Sequence, residues 1–595
     1  MRLFLLALCL TATAVAQAPP KYEFRGAWIA TVINLDWPSC RTCSPDVQQA
    51  ELIGHLDELK AAGLNAVLFQ VRAESDALYA SPYEPWSYWL TDEQGTAPEP
   101  YWDPLAFVVE EAHKRGMELH VWFNPYRADR GSGYPKAASH ITNTHPEWIL
   151  DFGSIKILDP GLPDVRSYFS SVVADVVRRY DVDGVHFDDY FYPYPPNQIT
   201  NQDAGTFDQY NGGFTDVNNW RRYNVFRMIR QVRDSIQAVR PEAVFGISPF
   251  GIWKSGVPAG ISGMDAYSAI YADAVGWLEN DLIDYVTPQL YWAFGGGQDY
   301  GKLAPWWESV RHGRHLYPGH GLYRADNNTS DGSLFAANEI PRQVRFNRAT
   351  EGIDGSVFFR AKNITRYGSR GFADTLSTDL YRYPALPPPM DWKSQDAPGV
   401  PTALTAAQRD GGTTVDVSWT APSSGDAAAR FYAVYRIPAA EVADLDAAMA
   451  QAKNLAVVTG ETSATDVPPV GGLYTYVVTS VSANSIESLP SNPAVVQSSV
   501  ATEASPDGIL ALAAPRPNPV HGETTLAFTL RQPGRVTLRV LDVLGREVAR
   551  LVDGAPLAAD THAVQWTPAG LGSGTYVVVL EADGARVARP IVVIR

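Results

Sequence analysis

Residues 181–195, DVDGVHFDDYFYPYP, hold the side chains best suited to chemistry in this chain. A short apolar run, Val185 and Phe187, leaves a glycine turn and leads straight into Asp188 and Asp189, ringed by Tyr190, Phe191, Tyr192 and Tyr194. Adjacent carboxyl groups can divide acid and base work, because repulsion between them raises one pKa while a nearby arginine opposes the rise. Aromatic rings suit a sugar, whose faces stack on them while acids handle glycosidic oxygens. Strand alternation places His186, Asp188 and Tyr190 on one face and Val185, Phe187 and Asp189 on the other. With the apolar pair turned toward helices, Asp188 is the expected catalytic carboxylate. Asp189 joins it only if the strand bends at its end. It is then either the second catalytic carboxylate or a clamp on Arg72 or Arg127. The plain alternative is a solvated turn after a core strand.

A buried strand that ends in carboxylates and breaks at Pro193 is the C-terminal end of a strand in an α/β barrel, the rim where catalytic groups gather. Eight strand candidates precede residue 385: 25–32, 65–72, 118–124, 184–189, 244–249, 284–292, 315–323 and 355–362. Amphipathic stretches at 47–62, 104–115, 164–180 and 220–239 lie between them. In the third, Val165, Tyr168, Phe169, Val172, Val173, Val176 and Val177 share one helical face. Strands separated by helices imply parallel pairing with right-handed crossovers. The expected fold class is α/β, a (β/α)8 barrel with long loops on one face, followed by two small all-β sandwich domains.

The strand ends collect one polar and aromatic set. The expected substrate contacts are Asp36, Gln70, Arg72, Asp76, Asn124, Arg127, His186, Tyr190, Gln289, Tyr291, Trp292, His320 and Tyr323, beside catalytic Asp188 and Asp189. No spacing of ligands demands a metal, and no cofactor is expected.

At 595 residues the chain is too long for one core. A net charge of −17 without a basic run excludes nucleic acid and anionic lipid as partners. The opening MRLFLLALCLTATAVAQA has a charged start, an apolar stretch and an A-x-A site, which define a signal peptide over 1–18. Leu8 argues against a lipoprotein site at Cys9, and no later segment is apolar enough to span a bilayer in the mature chain. Cys40 and Cys43 lie in a Pro- and Ser-rich loop, which favours a small-loop disulfide over free thiols.

After the barrel (21–385) the Pro-rich YPALPPPMDW opens a linker over 386–396. Residues 397–500 show the pattern of a fibronectin type III module, with Trp419 on an early strand, alternation in TTVDVSW and TYVVTSV, and Tyr476 as the candidate corner tyrosine. Its expected role is that of a spacer. PRPNPVHGETTLAFTL, LDVLGREV and SGTYVVVL, within 515–595, resemble the type A C-terminal sorting domain of the type IX secretion system. That resemblance implies the secretion machinery as partner and a secreted or outer-surface location.

RGAWIATVINLDWP, LFQVRAESDALYASPYEPWS, DPLAFVVEEAHKRGMELHVWFNPYR, DVDGVHFDDYFYP, FGISPFGIW, IDYVTPQLYW and PGHGLYR resemble the glycosyl hydrolase-like 10 family, from about 24 to 363. The resemblance implies a (β/α)8 barrel that hydrolyses O-glycosyl bonds of cell-wall glycan, peptidoglycan-type strands lacking stem peptides. DGVHFDDY is also similar to the strand-4 motif of family 18 chitinases, but Tyr190 stands where their catalytic Glu would be. GHGLYR offers no carboxylate at strand 7, so a nucleophile–acid pair across strands 4 and 7 is not expected. Three readings stay open: substrate assistance involving Tyr291 and Asp188, a pair of Asp188 with Glu74 or Asp76, and a non-catalytic glycan-binding surface protein.

Overall fold

Alternation along each strand builds the barrel. In the computed structural model, which describes residues 19–325, 335–365, 371–409, 414–423, 425, 427–469, 472–498, 502–504, 510–542, 546–582 and 585–594, one parallel sheet contains β1 (Phe24–Ile29), β2 (Ala66–Arg72), β3 (Glu118–Phe123), β4 (Gly184–Phe187), β5 (Val244–Ile247), β6 (Tyr285–Val286), β7 (His315–Leu316), β8 (Gly319–Gly321) and β9 (Gly355–Phe359). The expected signal segment 1–18 lies outside the described residues. Phe24, Trp28, Leu68, Trp122, Tyr285, Tyr317 and Val357 form the interior cluster. Their neighbours Ala27, Ile29, Val67, Val121, Phe187 and Phe358 face the helices. Interior rings need room from small residues. A Cβ on Gly246 would lie 2.0 Å from the Tyr285 ring, and one on Gly184 2.7 Å from His120 Nδ1.

The strand order is β7-β6-β5-β4-β3-β2-β1-β9-β8. Its two ends are halves of one segment, 315–321, so the sheet closes on itself as a barrel. The expected strands at 284–292 and 315–323 are cut short where Pro288 and Pro318 withhold N–H groups from the ladder. Crossovers run through α1 (Pro45–Ala61), α2 (Pro104–Lys114), α3 (Pro163–Arg179), α4 (Val217–Val239), α5 (Ala274–Glu279), α6 (Tyr300–Ser309) and α7 (Glu339–Ala349). On α3 the apolar face is buried as its period implies. Asp103 caps α2 by accepting hydrogen bonds from Leu105 N and Ala106 N at 3.0 and 3.1 Å. Between β3 and α3 an insertion folds into a three-stranded antiparallel sheet, Arg127–Asp129, Ile149–Asp151 and Lys156–Leu158.

The N-terminal base of the barrel is sealed, which corrects the expectation of a linker at 386–396. Leu386 bridges Tyr22, and Met390 enters the interior cluster. Trp392 Nε1 donates to Asp284 Oδ1 at 2.7 Å. Apolar side chains between the prolines fit the open end of the barrel, so the segment binds there instead of spanning a gap.

Residues 402–498 form a three-stranded and a four-stranded antiparallel sheet, packed around Val417, Trp419, Tyr432, Val434 and Tyr474. Val415–Thr420 alternates buried and exposed, as expected. The strand containing TYVVTSV, Gly472–Val481, is instead buried nearly throughout. Its second face, with Phe431, Ala433, Tyr435 and Val477, closes over Leu386. Tyr476 OH donates to Asp466 Oδ2 at 2.7 Å rather than to backbone. Ionic contacts tie this unit to the barrel: Arg430 to Asp181 and Asp183, and Lys21 to Glu487. The expected spacer is therefore seated on the base. Residues 502–593 make a second pair of four-stranded antiparallel sheets around Leu512, Phe528, Leu538 and Val578. Part of the LDVLGREV motif, 543–545, lies outside the described residues. Among the described residues no helix is long and apolar enough to cross a membrane.

Candidate active site

β4 ends at Phe187, one residue before the acids. Freed from the pleat, the chain turns, and Asp188 and Asp189 both line one cavity of about 400 Å³ at the C-terminal mouth. The bend that Asp189 requires is present. Gln70 of β2, Trp28 of β1 and Phe359 of β9 reach the cavity from strands, and Ser248, Gln289, Tyr291 and Tyr323 from the loops after them. The β3–α3 insertion adds Arg127, Arg130 and Ile155, and the loop after β1 adds Val32, Ile33 and Leu35.

Both acids are buried, at 6% and 2% exposure. Burial pushes Asp188 up to about 6, against the pull of Arg127. Asp189 rises well above the carboxylate range through burial and the charge of Asp188. Near neutral pH such a pair holds one proton and one charge, the arrangement acid–base work needs.

An amide relay sets the orientation of Asp188. Thr31 N and Val32 N both donate to Gln70 Oε1 at 2.9 Å, which turns Gln70 Nε2 toward Asn124 Oδ1 at 2.6 Å. Asn124 then has only its Nδ2 left for Asp188, and it donates to Oδ2. Tyr190 N donates to Oδ1 at 3.3 Å. Tyr194 OH donates to Asp189 Oδ2.

Of the expected contacts, Gln70, Arg127, Tyr190, Gln289, Tyr291 and Tyr323 line the cavity, and Asn124 stands behind it. The others have different partners. Arg72 is fully buried and paired with Glu84 at 2.6 Å, and Arg127 Nε donates to Ala73 O with no ion pair to Asp189 among the described residues, so Asp189 clamps neither. Asp36 accepts from Ala30 N at 2.8 Å and Lys362 N at 3.2 Å, closing the loop after β1. Asp76 Oδ1 accepts from Glu74 N at 3.0 Å, and Glu74 accepts from Trp89 Nε1 at 3.0 Å, so neither is a partner for Asp188. His320 faces the helical layer, 2.8 Å from Gln343 Oε1. Trp292 packs on Phe250 outside the cavity wall. His186 sits one layer below the cavity. Its Nε2 accepts from Trp28 Nε1 at 3.1 Å, and its Nδ1 is 3.0 Å from Tyr285 OH. Burial holds it well below the usual histidine range, so it is neutral.

Trp28, Trp122, Arg130, Ile155 and Phe359 were not expected at the site. The parity of Trp28 and Trp122 with the inward residues of their strands was the available signal. For Arg130 and Ile155 the signal was the long stretch between β3 and α3. Ile33 adopts φ 49° and ψ 27°, a left-handed conformation that strains a β-branched residue by about 1–3 kcal/mol. Cys40 and Cys43, in the loop following β1, are joined by a disulfide. Among the described residues no cluster of three or more His, Cys, Asp or Glu is placed to hold a metal.

The family model for glycosyl hydrolase-like 10 matches residues 23–331. Glycosyl hydrolase YngK of Bacillus subtilis (strain 168) is 37% identical over 433 residues, 71% of this chain and 84% of its own length. Glycosyl hydrolase DigH of Escherichia coli (strain K12) is 38% identical over 364 residues, 56% of this chain and 82% of its own. The solved PgaB (BpsB) glycoside hydrolase domain of Bordetella bronchiseptica aligns with 63% of this chain and 100% of its own, at 13% identity and a TM-score of 0.39. With the match running through every strand that walls the cavity up to β8, the chain belongs to the glycosyl hydrolase-like 10 family.

Proposed function

We propose that this chain is an exported glycoside hydrolase that cleaves N-acetylamino-sugar glycan of the bacterial cell-wall type, with Asp188 and Asp189 as its acid–base pair. The observation that carries the reading is the pair itself: two buried carboxyls with raised pKa values, facing a cavity walled by Trp28, Trp122, Tyr291 and Phe359. In this reading Asp189, kept protonated by burial and by the charge beside it, delivers the proton to the leaving oxygen. Asp188, ionised above about 6, accepts a proton or steadies the 2-acetamido group of the sugar. β8 carries Gly319, His320 and Gly321, none of them a carboxylate, so the nucleophile in this reading is the acetamido oxygen steadied by Asp188 or a water that Asp188 deprotonates. Residues 1–18 would carry the chain across the inner membrane and 515–595 across the outer one, with 397–500 a fibronectin type III module.

That β8 itself carries no carboxylate also favours a second reading, a glycan-binding surface protein without turnover. Purified chain incubated with amidase-treated peptidoglycan separates the two. Shortened strands, and inhibition by a thiazoline analogue of N-acetylglucosamine, are expected. Intact strands that remain bound to the protein would establish the second reading and remove the first.

A further inference from the structure

Five arginines of the barrel are buried: Arg25, Arg72, Arg127, Arg166 and Arg221. Arg25, Arg72 and Arg221 pair with Glu23, Glu84 and Asp203 at 2.6–2.7 Å. Arg166 NH1 donates to Pro160 O, Gly161 O and Asn224 Oδ1. Arg127 differs. Its Nε donates to Ala73 O at 2.8 Å, its guanidinium stacks 4.9 Å from the centre of the Tyr190 ring, and its terminal nitrogens make no hydrogen bond to protein among the described residues. No ion pair within 4.0 Å joins it to Asp188 or Asp189. Both acids are already engaged, by Asn124, Tyr190 N and Tyr194.

Arg130 stands beside it on the same insertion and lines the same cavity. Its backbone N is held by Glu74 Oε1 at 2.8 Å, while its side chain forms no ion pair among the described residues. The terminal nitrogens of Arg127 are reached by solvent from the cavity, so a ligand there exchanges water for its own acceptors. In a chain of net charge −17 the surrounding field repels anions, so an anionic ligand needs cations at the point of contact. Planar guanidinium groups match carboxylates.

Resting on the glycoside-hydrolase reading, we propose that Arg127 and Arg130 form a subsite that reads a carboxylate carried by the sugar bound against Asp188 and Asp189. The substrate class is then an acidic amino-sugar glycan, not a neutral one. The carboxylate could belong to a lactyl ether on the ring or to a hexuronate. Tyr190, which also lines the cavity, holds the guanidinium of Arg127 against its ring.

The test uses the mature full-length chain and three tetrasaccharides: alternating N-acetylglucosamine and N-acetylmuramic acid with free lactyl carboxyls, the same molecule amidated at those carboxyls, and a hyaluronan tetrasaccharide. Binding is read by calorimetry before turnover is measurable, and hydrolysis separately by chromatography. The free-carboxyl muramic compound or the hyaluronan compound is expected to bind about tenfold or more tightly than the amidated one, the scale of a hydrogen bond to a charged group. Whichever of the two binds identifies the source of the carboxylate. Arg127→Gln and Arg130→Gln should each bring that ratio toward one. Arg130 is exposed, so its variant stays informative even if Arg127→Gln folds poorly. If neither the free-carboxyl muramic compound nor the hyaluronan compound binds more tightly than the amidated one, or if the ratio is unchanged in Arg130→Gln, the subsite is overturned. Selective binding without hydrolysis would leave the subsite standing and remove the hydrolase reading instead.

Discussion

Asp183 and Asp188 bracket the same four-residue strand, β4, and both are buried, yet their charges are managed in opposite ways. At the base, Asp183 Oδ2 lies 2.8 Å from His113 Nε2 and accepts from Leu119 N at 2.8 Å, while Arg430 Nε lies 3.1 Å from Oδ1. These partners outweigh burial and hold its carboxyl far below the usual range. At the mouth, Asp188 is met by the Asn124 amide, the Tyr190 N–H, the Trp122 side chain and the more distant charge of Arg127, with no cation within ion-pair distance, and burial wins. Burial alone therefore does not decide the fate of a carboxylate; the partner supplied by the rest of the chain does. The base uses charge to hold a second unit in place, and the mouth leaves a carboxyl that titrates near 6.

The largest expected effect removes the mouth's acid. Asp188→Asn should lower turnover on glycan by about 10²–10⁴, the range for losing positioned proton transfer. Near wild-type hydrolysis by this variant would take Asp188 out of the mechanism. At the base, Arg430→Ala leaves Asp183 with one fewer cation. Breaking a buried pair from one side costs about 3–5 kcal/mol, so the urea midpoint of the full chain should fall accordingly. A change below about 1 kcal/mol would mean that the docking of 402–498 does not depend on that charge.

A third experiment sharpens the contrast through pH. The folded-state pKa of Asp188 is raised from 3.8 to about 6, so the native state binds that proton more tightly. The stability this contributes is present below 3.8 and is lost as pH rises through about 6. Asp188→Asn should therefore be more stable than wild type at pH 7 by up to about 3 kcal/mol, two units at 1.36 kcal/mol each. The advantage should vanish below pH 4, and an advantage independent of pH would contradict the assignment. Asp183→Asn should do the reverse, losing stability at pH 7, because its folded pKa is depressed. The smallest effect tests the relay. Asn124→Ala withdraws a donor from the ionised form, and the acid limb of the pH–rate profile should move up by about one unit. An unmoved limb would show that the Gln70–Asn124 chain does not act on Asp188.

Much of this was legible in the chain. Inward and outward residues of β1 to β5 follow from the period of two, and α3 from its row of valines. Gln70 was legible for the same reason, as an inward position of β2, while Asp188 and Tyr291 lie past the ends of β4 and β6 yet keep the inward parity and line the cavity. The misreadings cluster where regular backbone stops. Arg72, the last residue of β2, ends on the outer side with Glu84, and His320 of β8 lies beyond the break at Pro318. Asp189 has the wrong parity for the cavity and reaches it only because β4 ends at Phe187.

Local periodicity thus determined, from sequence alone, where the main helices and β1 to β5 lie and which side of each of those strands faces the barrel interior, because φ/ψ geometry and apolar transfer act over a few residues at a time. Whether a carboxylate is a brace or an acid was decided only by tertiary structure. The Coulomb and desolvation energies that set it depend on groups the chain brings from far away, such as Arg430 to Asp183 and Asn124 to Asp188.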